Sequence, residues 1–155
     1  MAVATSRRAN ILNNLVRQLE TIKIANGYAT DVVEVSQNTK NWEQKLEHEC
    51  PLIYVVDVRT LPKYNAGKLL EWEWTIALIG FMRNRDQTAM EEFISDIMTC
   101  LQANQTLAFA DTDRTISHHR IIEINTDGQF FNEIEGSQLF RMDVTLIYTG
   151  CVGDR

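Results

Sequence analysis

Basic charge is scarce in this 155-residue sequence, which has 15 Lys and Arg against 21 Asp and Glu and a formal charge of −6 at pH 7. That sign removes the electrostatic pull that holds proteins on DNA, RNA or anionic lipid. Proline and glycine are few, two and seven, which excludes collagen-like, linker-like and disordered chains. No apolar run approaches the roughly 18 to 20 residues that a membrane span requires. Arg7 and Arg8 near the start have no apolar segment behind them, so no secretory leader is expected. Cys50, Cys100 and Cys151 lie about fifty residues apart with no CxxC pair, a spacing that makes neither a disulfide framework nor a zinc site. They are expected to be small buried hydrophobes in a reduced compartment.

Catalytic signatures are also missing. There is no GxSxG elbow, HExxH helix, GxGxxG turn or Walker A loop. Gly67-Lys68 is followed by Leu69 where a Mg²⁺-binding hydroxyl belongs. His118 and His119 are adjacent on an expected strand, so they point to opposite faces and cannot grip one ion together. His48 is far away in sequence. Asp111 and Asp113 resemble half of a hard-cation site, but no EF-hand Gly or Glu follows, and a solvated acidic turn is expected. No catalytic residue, cofactor or metal ligand is assigned.

What is present is 45% hydrophobic and 23% charged residues, the balance of a single globular domain that can bury roughly 70% of its unfolded surface. The spacing of Ile11, Leu12, Leu15, Val16, Leu19 and Ile22 predicts an amphipathic helix, with Arg8, Asn14, Arg17 and Glu20 opposite. Thr5 and Ser6 are candidate caps, and Asn26-Gly27 is the expected stop. Tyr28 to Ser36 reads as a strand, with Val33 and Val35 on one face and Val32 on the other. Gln37 to Cys50, which holds Trp42 and Leu46, reads as a polar excursion. Leu52 to Arg59 is a nearly continuous apolar run after Pro51, which predicts a central strand covered on both faces. Pro62, Asn65 and Gly67 mark Leu61 to Lys68 as a turn.

Glu71 to Arg83 alternates with a period of two: Trp72, Trp74, Ile76, Leu78 and Met82 on one face, Glu71, Glu73, Thr75 and Arg83 on the other. Asp86 to Leu101 predicts a second amphipathic helix, capped either by Thr88 with Glu91 or by Asp86. Gln102 to Thr115 reads as a loop. Ile116 to Asn125 and Leu139 to Thr149 read as an antiparallel pair, with Thr126-Asp127-Gly128 starting the turn between them. The order α-β-β-β-α-β-β predicts a single α+β domain over residues 1–155 (core about 6–150), a mostly antiparallel sheet with two helices packed on it.

Trp72 and Trp74 support two readings, core anchors or protein–protein anchors. In the second, Glu71 and Glu73 would meet Arg83 or Arg85 of another subunit. These six residues are the candidate subunit contacts.

The opening helix followed by "IANGYATDVVEV", the Pro-led "CPLIYVVDV", the long "LLEWEWTIALIGF", the helix "AMEEFISDIMTCL" and the closing "SQLFRMDVTLIYTG" together resemble the tail terminator proteins of long-tailed bacteriophages. The resemblance covers about residues 6 to 150. It implies a small α/β subunit that forms a homohexameric ring, caps the tail tube, stops its polymerisation and offers the surface that joins the head. The implied partners are other copies of the chain, the tail tube protein and a head–tail connector protein, with DNA only in transit and no membrane. The implied place is the head-proximal end of the virion tail, after synthesis in the host cytoplasm. The resemblance carries over no catalytic residue. A neck or connector protein of the same virion is the nearest alternative. A small enzyme or binding domain whose pocket brings His118 or His119 to Asp57, Asp111 or Asp113 is the alternative from another class.

Overall fold

The structure is a computed structural model that describes residues 7–37, 49–66, 69–103, 120–126 and 137–151. Ile11, Leu15 and Leu19 recur every four residues, and helix α1 (Arg7–Glu20) buries all three completely. The α-helix ends earlier than the Asn-Gly signal suggests. A separate single turn of 3₁₀ helix occupies Ile24–Asn26, and Gly27 closes it at φ 94°, donating its N–H to the Ile24 carbonyl. Glycine holds that left-handed conformation without a Cβ clash. Asn14 does not lie on the solvent side: it is 4% exposed, beneath Arg17, which donates to its side-chain oxygen. Thr5 and Ser6 lie outside the described residues.

Five strands follow in one sheet: β1 (Glu34–Ser36), β2 (Leu52–Ala66), β3 (Leu69–Arg83), β4 (Arg120–Thr126) and β5 (Ser137–Cys151). Their spatial order is β1-β2-β3-β5-β4. Only β1 pairs in parallel, with Glu34 opposite Leu52 and Ser36 opposite Tyr54, and every other pairing is antiparallel. Helix α2 (Gln87–Ala103) joins β3 to the second half of the sheet. The domain is α+β in the order α-β-β-β-α-β-β.

Three expectations are corrected and one open alternative is decided. The strand read over Tyr28 to Ser36 is regular only at Glu34–Ser36; Val32 is buried, whereas Val33 is half exposed. Pairing reaches β1 on one edge only, so the preceding residues follow the Val32 N–H to Ile22 and Val33 N–H to Pro51 bonds instead of a ladder. The turn read over Leu61 to Lys68 is strand as far as Ala66, facing Leu69 across Gly67 and Lys68. Pro62 is tolerated there because, among the described residues, β2 pairs only with β3 beyond Tyr54, an edge position that can lose an N–H, and a register shift follows it between Pro62 and Tyr64. The centre of the sheet belongs to β3, although Leu52 to Val55 are indeed covered on both faces. At α2 the cap is Asp86, whose carboxylate accepts the Ala89 N–H at 2.8 Å, and Glu91 instead accepts from Gln87.

The alternation in β3 and β5 sorts side chains as the sequence suggests. Trp74, Ile76, Leu78 and Met82 of β3 and Phe140, Met142, Val144, Leu146 and Tyr148 of β5 pack under both helices with Ile53, Val55, Met90, Phe93 and Ile97. On the far face a smaller cluster gathers Cys50, Leu52, Tyr54, Phe81 and Leu139. Further along, that face turns polar, with the buried Thr75 and Thr145 hydroxyls 3.2 Å apart and Arg141 paired to Asp143.

Three strands of 15 residues set the proportions of the molecule. Each spans about 50 Å at roughly 3.3 Å per residue. The 17 residues of α2 span only about 25 Å. The β2–β3–β5 ribbon is therefore about twice as long as the longer helix lying on it.

Candidate functional site

Among the described residues, a well-connected polar group lies where α1 meets this ribbon. Asp57, on the helix face of β2, accepts the Trp74 indole N–H at 2.9 Å on one carboxylate oxygen. Its other oxygen accepts from Arg8 of α1 at 3.0 Å. The Arg8 guanidinium lies over the Trp74 ring, 4.2 Å from its centroid, and also donates to the Thr60 hydroxyl. Tyr148 of β5 meets the same indole edge-on at 6.1 Å. A cation on the face of an indole whose N–H is held by a carboxylate ties the three groups together, with the outer side of the ion pair in solvent. The arrangement fixes the first turn of α1 to the ribbon just before its distal half begins. It clamps α1 to the ribbon.

The six candidate contact residues are dispersed. Trp74 is 2% exposed within its own subunit and offers nothing to a neighbour, while Trp72 is half-buried on the same face and packs against the core. Glu71 and Glu73 are half-buried on the far face. Arg83 shares that face, but twelve residues of strand place it about 40 Å from Glu71. Arg85 is exposed beyond the strand, its backbone held at both polar atoms by the Gln138 amide. His48, His118, His119, Asp111, Asp113, Trp42, Gly67 and Lys68 lie outside the described residues. Asp57, offered as a partner for those histidines, accepts from Arg8 and Trp74.

Sequence reading misses Arg8, which helical periodicity assigns to solvent, because its reach across to the sheet is a tertiary event. The basic residue one turn before the first apolar stripe position was the only available signal.

The remaining features are surface ones. Among the described residues, the exposed large apolar side chains are Ile24, Val33, Val58, Leu61 and Ile122. Ile24 and Val33 line one groove of about 310 Å³, with Cys50 and Pro51 at its floor. Val58 and Leu61 stand on the distal half of β2. Cys50 and Cys100 are free thiols, both buried, and Cys100 donates to the Gln18 carbonyl at 3.2 Å. Among the described residues no three His, Cys, Asp or Glu converge as a metal site, and no helix is long and apolar enough to cross a membrane.

No family model matches the chain, and no curated protein matches it.

Proposed function

We propose that this chain is a self-assembling structural subunit of a long-tailed phage virion, a terminator that closes into a ring on the end of the tail tube. The observation that carries the reading is the ribbon of three 15-residue strands, about 50 Å long and about twice the length of the longer helix packed on it. A ribbon of that length is costly in a protein whose work is done in a pocket, because it leaves strand edge and apolar side chains such as Val58 and Leu61 in water. It is useful in a subunit whose work is contact with copies of itself. The element order is also the one on which the resemblance to tail terminators rests. In that role the acidic balance, −6 per chain, lets DNA pass through a ring without being held.

The test is capping. Fluorescently labelled chain is added to tail tubes purified without their terminator and imaged by electron microscopy. The expected result is one density at one end of each tube and arrested elongation when further tube protein is supplied. Uniform decoration along the tube, or no binding at either end, refutes the reading.

A further inference from the structure

The exposed apolar residues of the proximal and distal halves of the β2 edge form two patches that differ in charge. The first surrounds the groove of Ile24 and Val33, 59% and 50% exposed. Exposed carboxylates flank it: Asp31 and Glu92 line the same groove, and Glu20 and Glu34 line the adjoining depression that shares Val33. Against these four stand Arg85 and Lys23, and the Lys23 ammonium is already bonded to the Val32 carbonyl. The second patch is Val58, Arg59 and Leu61 on distal β2. Among the described residues Arg59 makes no ion pair and no hydrogen bond. Beyond Tyr54 this stretch has no strand partner on its outer edge among the described residues.

The two patches cannot overlap. Val33 is bonded to Pro51, and Val58 lies seven residues further along the same strand, about 23 Å away. The distal patch carries one cation, Arg59, beside an Asp57 already paired to Arg8 and with Glu73 opposite Leu61. A lone cation of this kind is drawn to the groove's four carboxylates, which repel their own copy. We infer that the distal β2 edge of one copy, Val58, Arg59 and Leu61, docks in the Ile24–Val33 groove of the next copy, with Arg59 among the groove carboxylates. A contact between two different, non-overlapping patches is head-to-tail, and it repeats until the rotation closes the ring. One such contact is small and holds a pair weakly, and closure makes the set firm because the last contact forms within a tethered assembly. The inference rests on the ring reading and names the surfaces that make the ring.

The experiment traps the contact covalently in the full chain. Ile24→Cys or Val33→Cys protein is mixed with Val58→Cys or Leu61→Cys protein, four mixtures in all, then oxidised, and the links are mapped by mass spectrometry. All four positions are exposed, so the substitutions leave the core intact. The expected result is a groove-to-edge disulfide in at least one mixture, in several-fold excess over either variant oxidised alone. Adding Arg59→Glu to the edge variant should cut that yield about tenfold, and Glu34→Lys with Glu20→Lys on the groove variant should restore it. Absence of the link in all four mixtures, or a yield indifferent to Arg59→Glu, overturns the inference. Light scattering of the unsubstituted chain reads the ring separately. A ring-sized mass without these links refutes this contact alone, and links without a ring-sized mass uphold the contact and refute the preformed ring.

Discussion

Gly80 is the position where a single added carbon should cost most. It stands directly opposite Phe140 in the β3–β5 ladder. A Cβ built there would lie 2.0 Å from Cε1 of that ring, 2.3 Å from Cζ and 2.7 Å from Cδ1, where carbon atoms ordinarily settle at about 3.5 to 4.0 Å. The ring has nowhere to go: Phe140 is 1% exposed and meets Phe93 of α2 edge-on at 5.2 Å. Relief requires either an off-rotamer Phe140 or a shift of α2 away from the sheet, and overpacking of this kind costs about 1 to 3 kcal/mol. The intrinsic gain from replacing a strand glycine, about 0.5 to 1 kcal/mol, opposes it but is smaller. Gly80→Ala should therefore destabilise by about 1 kcal/mol, a fall in Tm of roughly 2 to 4 °C for a domain of this size. Urea unfolding followed by far-UV circular dichroism reads the difference. The cycle with Phe140→Leu isolates the clash, and the double variant should be more stable than the two single costs predict by at least about 1 kcal/mol. A Gly80→Ala protein within 0.5 kcal/mol of the parent would refute the close packing on which this rests.

Asp57→Ala should destabilise more than Arg8→Ala, because it strands the buried Trp74 indole N–H at a cost of about 1 to 3 kcal/mol. Arg8→Ala removes a half-exposed ion pair and a cation–π contact worth about 1 kcal/mol together, and denaturant midpoints that reverse this order contradict the clamp. Tyr54 is 3% exposed and its hydroxyl has no hydrogen-bond partner among the described residues. Burial, then the nearby Glu34 and Cys50, push its pKa up to about 12 from 10.0. The unfolded chain then loses this proton before the folded one, so the tyrosine contributes no pH dependence below pH 10 and costs stability as pH rises from 10 toward 12, up to about 2 to 3 kcal/mol. Tyr54→Phe should match the parent within about 1 kcal/mol at pH 7 and exceed it at pH 11, and a difference that does not grow with pH contradicts the assignment.

How much of this was legible in the sequence follows from the range of each interaction. The stripe of α1, the alternation of β3 and β5 and the helical spacing of α2 depend on neighbours within a turn or a pleat, and those faces are the ones the structure buries. The length of β2 was not legible, because Pro62 and Asn65 are turn residues locally and strand residues only beside β3. Choosing Asp86 over Thr88 as the cap likewise needed the backbone. Of the two readings open for Trp74, core anchor or interface anchor, the structure shows the first, and the cation, carboxylate and tyrosine that enclose it come from residues 8, 57 and 148, beyond the reach of local pattern. Val58, Arg59 and Leu61 drew no attention because nothing in a strand's own sequence says that its outer edge has no partner among the described residues.

The central claim, that the chain closes a ring by itself, is tested most directly by its solution mass, measured by multi-angle light scattering from micromolar to near-millimolar protein. A discrete species at six times the 17.8 kDa of one chain, appearing without populated dimers or trimers, is the predicted result. The mass of a single chain across the whole range would contradict it.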